Sequence, residues 1–148
     1  MRLGDVNGDE LLDAVGLGAA LTGAQLETTL GNPDGTFQKA VASSLGDLSP
    51  RDLKLADFNG DAFVDAVVIA QDQISILTGD ASAKFTPKDS HTAGTIFNIE
   101  ATDFSGDGVD DLLVFKNKER LVVLLENDGT GNFSEAQTLT FDVSPLAG

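Results

Sequence analysis

The stretch Asp103-Phe104-Ser105-Gly106-Asp107-Gly108-Val109-Asp110-Asp111 places oxygen-bearing side chains at relative positions 1, 3, 5 and 9. That spacing suits a hard divalent cation such as calcium, which takes six to eight oxygen ligands at about 2.3–2.6 Å. Glycines at relative positions 4 and 6 let the backbone curl where a side chain would clash. The loop then runs into Leu112-Leu113-Val114-Phe115, a short apolar run of strand type. It is therefore read as joining two strands.

The pattern recurs. Asp5-Val6-Asn7-Gly8-Asp9-Glu10-Leu11-Leu12-Asp13 and Asp57-Phe58-Asn59-Gly60-Asp61-Ala62-Phe63-Val64-Asp65 keep the same oxygen spacing, an apolar second residue and a glycine fourth. The first aspartates lie 52 and 46 residues apart. Each unit also carries a turn closing on phenylalanine, GNPDGTF to Phe37, GDASAKF to Phe85 and NDGTGNF to Phe133, at offsets of 32, 28 and 30 from its first aspartate. Two landmarks in fixed order, three times over, make a repeat protein.

These loops, the apolar strand after each and the closing turn resemble the FG-GAP and VCBS repeats of integrin-like β-propellers, over nearly the whole chain. The resemblance implies an all-β fold in which each repeat is one four-stranded antiparallel blade, with the loop linking its innermost strand to the next one out. It implies three calcium ions, held by Asp5, Asn7, Asp9 and Asp13, by Asp57, Asn59, Asp61 and Asp65, and by Asp103, Ser105, Asp107 and Asp111. The carbonyls of Leu11, Phe63 and Val109 are the implied seventh-position ligands. Three residues depart from the family pattern. Glu10 and Ala62 stand where glycine is usual, and Ser105 stands where Asn or Asp is.

Composition narrows the partners. A net charge of −15 over 148 residues disfavours nucleic acid and anionic membrane surfaces, and three calcium ions would cancel six of those charges. There is no cysteine, hence no disulfide framework, which leaves cross-linking to metal. No apolar run approaches the roughly 18 residues of a transmembrane helix. The chain enters the first repeat at once, without the basic and apolar stretches of a signal peptide.

Three blades are expected, at 1–51, 52–95 and 96–148, each range including a connector. In blade one the strands are expected at 1–4, 14–17, 26–30 and 37–42, with a Ser/Gly/Pro-containing connector at 43–51. Blade two should use 53–56, 66–70, 74–77 and 84–88, followed by a connector at 90–95 that carries His91, read as a surface residue. Blade three should use 96–102, 112–115, 121–125 and 133–140, with a connector after it. Phe37, Phe85 and Phe133, with Phe58 and Phe104, are expected in the core between blades, since an aromatic recurring at one place in each repeat packs against the neighbouring blade.

Rival motifs fail on their requirements. An EF-hand needs a bidentate glutamate at position 12 and flanking helices, whereas position 12 is Gly16, Val68 and Val114 in strand-type runs. The glycines from Gly16 lack the third glycine and crossover helix of a dinucleotide fingerprint. His91 has no nucleophile elbow to serve. Glycoside hydrolysis needs two acids across a sugar bond, and calcium accounts for the clustered acids. The sequon Asn132-Phe133-Ser134 is centred on a core phenylalanine, so its glycosylation is not expected.

The expected function is that of a calcium-stabilised interaction or adhesion module without catalytic activity, extracellular or on a cell surface, with a protein or glycan ligand. The alternative is the non-catalytic or face-bearing portion of a secreted polysaccharide-acting enzyme or lectin, a lectin role being weakened by the absence of Trp and Tyr. A blade buries its apolar faces only against neighbours, so an open arc of three leaves both ends bare; Val15, Val114 and Leu124 are the residues expected there. Two copies make six blades, inside the four-to-eight range of closed propellers, and a head-to-tail dimer is the expected assembly. A fragment of a larger propeller is the competing account.

Overall fold

A computed structural model describes residues 1–21, 23–70, 72–116 and 118–141. The connector expected after residue 140 lies almost wholly outside them. Twelve strands form three four-stranded antiparallel sheets, each a meander in sequence order. Blade one contains β1 (Arg2–Gly4), β2 (Asp13–Ala20), β3 (Gly23–Thr29) and β4 (Val41–Gly46). Blade two contains β5 (Asp52–Ala56), β6 (Asp65–Ile69), β7 (Gln73–Thr78) and β8 (Thr86–Thr92). Blade three contains β9 (Asn98–Thr102), β10 (Asp111–Lys116), β11 (Leu121–Asn127) and β12 (Phe133–Thr140). No helix among the described residues is long and apolar enough to cross a membrane.

Burial follows radial position. β6 is buried along its whole length, because both its faces meet a neighbouring sheet, and its sequence is accordingly a continuous Ala-Val-Val-Ile run after Asp65. The outer strands β8 and β12 are mostly exposed and carry Lys, Asp, Ser, Glu and Gln. In every blade the pairing with the outermost strand slips by one residue, at Ala24/Gln25, Ile76/Leu77 and Leu124/Leu125. Such bulges add local twist, which lets a blade coil outward from its inner strand.

Each blade has a leading face towards the blade before it and a trailing face towards the blade after it. Val6, Val15 and Leu26 on the trailing face of blade one meet Leu53, Ala66, Val68, Leu77 and Phe85 on the leading face of blade two. Phe58, Val67, Ile69, Ile74 and Ile76 on the trailing face of blade two meet Ile99, Leu112, Val114, Val123, Leu125 and Phe133. The inner strands β1, β5 and β9 lie beside one another. Arg2 donates to Leu53 O and Asp52 Oδ1, both at 2.8 Å, and Lys54 pairs with Glu100 at 3.3 Å. The architecture is an unclosed arc of a β-propeller.

Several expectations need correcting. The outer strand of blade one lies at Val41–Gly46 rather than 37–42. Residues 32–36 close a tight turn, Asn32 N donating to Thr36 O at 2.8 Å, and Phe37 forms only an isolated bridge to Gly31. The strand is set further on, where buried Ser43 accepts the Phe85 N–H at 2.8 Å and Leu45 enters the core. The connector expected at 43–51 is thus half strand. His91 is not in a connector: β8 runs on to Thr92, with His91 opposite Ile74, partly buried and 3.1 Å from Asp89.

Phe85, Phe133 and Phe58 are core residues as expected, but Phe37 is 55% exposed and Phe104 54% exposed. Both lie on faces that meet no further blade. Val15 and Val114, expected on the bare ends, are instead buried between blades, because alternation along the strand turns them inward.

Candidate metal centre

Each loop is wound by left-handed residues at relative positions 4 and 6. These are Gly8 (φ 80) and Glu10 (φ 66), Gly60 (φ 74) and Ala62 (φ 71), and Gly106 (φ 81) and Gly108 (φ 93). Glu10 and Ala62 therefore hold the glycine conformation despite their Cβ atoms, at a cost of about 1–2 kcal/mol each.

The winding turns backbone N–H groups onto the first aspartate. Asp5 Oδ1 accepts from Gly8 N at 2.8 Å and Asp9 N at 3.1 Å, while Oδ2 accepts from Glu10 N at 2.7 Å. Asp57 repeats this with Gly60 N at 2.7 Å and Ala62 N at 2.9 Å, and Asp103 with Gly106 N at 2.6 Å and Gly108 N at 3.0 Å. Burial alone would raise the Asp5 pKa, but the N–H groups of Glu10, Gly8, Asp9 and Asn7 outweigh it and hold the carboxyl below its usual value. Position 3 lies against position 5: Asn7 Nδ2 donates to Asp9 Oδ2 at 3.1 Å and Asn59 Nδ2 to Asp61 Oδ2 at 3.0 Å. Ser105 has no such contact; its N–H goes to Asp111 Oδ2 at 2.9 Å.

The ninth-position aspartates have a different place. Asp13, Asp65 and Asp111 are fully buried, and each carboxylate staples two distant backbone segments. One oxygen accepts from the second loop residue, Val6 N at 2.9 Å, Phe58 N at 3.0 Å or Phe104 N at 3.0 Å. The other accepts from the start of the closing turn, Gly31 N at 2.8 Å, Gly79 N at 2.9 Å or Asn127 N at 2.9 Å. Burial raises the Asp65 pKa against the pull of the Gly79 and Phe58 N–H groups, with Asp61 and Asp57 adding to the rise.

The structure thus sets positions 3 and 5 side by side in the first two loops and buries position 9 in all three. Among the described residues no three His, Cys, Asp or Glu side chains converge as a ready metal cluster. The donor set nonetheless fits a hard cation. It is all oxygen, it follows a backbone already curled by positions 4 and 6, and the carboxylates now held by N–H groups are those that would turn to an ion.

Two residues missed by the sequence reading complete the geometry. Buried Asn127 donates from Nδ2 to Phe58 O at 2.8 Å and to Asp110 O at 3.1 Å, tying blade three to the loop of blade two. Ser43 ties blade one to the turn of blade two. Nothing in composition or spacing distinguishes them; only their burial does.

Three unclosed four-stranded blades with a wound acidic loop after each inner strand define a propeller-type repeat protein. Residues 57–114 match the family model described as an FG-GAP-like repeat. Among solved structures the chain is similar to an Agrocybe aegerita lectin reported for its specific recognition of non-reducing terminal N-acetylglucosamine. The TM-score is 0.65 and the identity 22%, over 94% of this chain and 37% of that one. It is also similar to the Tc holotoxin pore of Photorhabdus luminescens, with TM-score 0.50 and 17% identity over 96% of this chain and 9% of that one. The chain therefore spans well under half the length of the solved chains it matches, and at these identities the likeness concerns the fold. No curated protein matches the chain.

Proposed function

We propose that this chain is a calcium-stabilised, non-catalytic propeller module that binds or scaffolds, acting outside the cell or on its surface and associating through its open end faces. The observation that carries the reading is the threefold recurrence of an all-oxygen loop with left-handed residues at positions 4 and 6. Within each loop, positions 1, 3 and 5 with the carbonyls of Leu11, Phe63 and Val109 would hold the ion. The ninth-position carboxylate would support it from below, exchanging one of its N–H contacts for metal.

Calcium would neutralise acids that otherwise repel, and so hold each loop against its blade. With a Kd of ~10 μM and free calcium of ~1 mM, linkage contributes about 2.7 kcal/mol per site. Three sites give about 8 kcal/mol, comparable with the whole stability of an ordinary domain. The test is thermal unfolding with calcium and with excess EDTA. A fall in melting temperature of tens of degrees on chelation is expected, and superimposable curves would overturn the reading.

A glycan-binding reading is favoured by one observation, the fold similarity to a lectin. A groove of about 410 Å³ between blades one and two offers Gln73, Ser75 and Asp89 beside an apolar floor of Leu45, Leu48 and Leu77. Glycan-array binding with and without calcium checks it. Binding abolished by Gln73→Ala would place the ligand in this groove, and no glycan bound under either condition would leave the protein-binding reading alone.

A further inference from the structure

Resting on the reading of the chain as a propeller arc, we infer that the trailing face of blade three takes the leading face of blade one from a second copy, and that the specific fit is a large-into-small exchange centred on Phe115 and Gly16.

The two internal interfaces supply the template. In each, the second loop residue of one blade meets the closing-turn phenylalanine of the next. Phe58 and Phe133 pack edge to face with ring centroids 5.5 Å apart, and Val6 shares a core with Phe85. The chain carries both unmatched halves of a third such pair, since Phe104 is exposed at the end of blade three and Phe37 at the start of blade one.

Bulk along the second strands completes the match. The trailing pairs Val15/Leu17 and Val67/Ile69 face the leading pairs Ala66/Val68 and Leu112/Val114. The unmatched trailing pair is larger, Leu113/Phe115, and the unmatched leading pair smaller, Ala14/Gly16, so the extra ring on one side answers the absent side chain on the other. Packing within this chain does not demand a glycine at 16, because a Cβ built there has nothing within 4 Å. A glycine inside a strand weakens it and marks the close approach of another surface.

Charge agrees with the same docking. Glu27, opposite Gly16 in β3, is exposed on the leading face of blade one, and Arg120 lines the same pocket as Phe115 at the end of blade three. Two copies of these three blades closing in this way give six, inside the four-to-eight range of closed propellers.

Light scattering coupled to size exclusion, on the full chain in calcium, reads the assembly. The expected mass is twice 15.4 kDa. Gly16→Val should raise the dimer dissociation constant about tenfold or more by overpacking the new interface, while leaving the fold of each copy intact. Adding Phe115→Ala to Gly16→Val should restore the dimer. A monomeric wild-type chain, a Gly16→Val variant that dimerises as well as wild type, or an open polymer would each overturn the inference. A monomer whose melting still depends on calcium would remove this inference and leave the proposed function standing.

Discussion

The loops at 57–65 and 103–111 are nearly the same molecule locally and opposites in context. Their backbones wind alike, their first aspartates both accept the N–H groups of positions 4 and 6, and their ninth aspartates make the same staple. Yet Phe58 is fully buried and Phe104 is half exposed. Loop conformation is therefore set by nine residues of local sequence, whereas burial of the second residue is set by whether a blade follows. In a repeat protein these two links separate cleanly.

The largest test of that separation is truncation of the aromatic. Phe58→Ala should cost about 3–5 kcal/mol, because it empties a site packed on Phe133 and the blade-three core. Phe104→Ala, measured by denaturant unfolding at low protein concentration, should stay within about 0.5 kcal/mol. Equal losses would mean that Phe104 is buried within its own chain and that the comparison is wrong.

The turns behind the loops give a smaller difference. At Gly79 an added Cβ would run into the carbonyl of Val64, and at Gly31 into that of Leu12, whereas the third repeat has Asn127 at the corresponding place. Gly79→Ala should therefore destabilise by about 1–3 kcal/mol by forcing backbone apart. An unchanged denaturation midpoint would show that the staple at Asp65 does not fix the turn.

Smaller again is the sixth loop position. Ala62→Gly should stabilise by up to about 1 kcal/mol by relieving a left-handed alanine, and Gly108→Ala should lose about as much. If both substitutions act in the same direction, the two loops do not share a backbone.

The smallest effect is electrostatic and concerns the closing turns. Asp128 is held at about 2, below the usual 3.8, chiefly by the Thr130 hydroxyl and then by its N–H. Its folded value is the lower one, so its contribution is present above 3.8 and is lost as the pH falls towards 2. Carboxyl NMR titration should find that midpoint and move it upward in Thr130→Ala. Asp80 with Ser82 and Asp34 with Thr36 are lowered in the same way. An Asp128 midpoint unmoved by Thr130→Ala would assign the shift to another group.

The recurring loops and the alternation of apolar residues were enough to read the strand order and three blades, because both signals are local. The outer strand of blade one is not legible in the same way, since Gln38 and Lys39 continue from a conspicuous turn while the anchor, Ser43, has the composition of a connector residue and is fixed only by accepting from Phe85. Analogy with Phe85 and Phe58 puts Phe37 and Phe104 in the core, yet both are exposed. A repeat pattern states what a position packs against, not whether that neighbour exists. Likewise the ninth-position aspartates show as ligand candidates in spacing, but their staple to the closing turn depends on contacts 14 to 18 residues away.

That staple bears on how such a chain could have grown. Asp13 with Gly31, Asp65 with Gly79 and Asp111 with Asn127 each lie within a single repeat, at separations of 18, 14 and 16 residues. A duplicated unit thus arrives with its own clasp already closed and needs only a neighbour of compatible face. Length can drift at the hairpin tip between the two fastened points without loosening either, and these three copies differ in that interval.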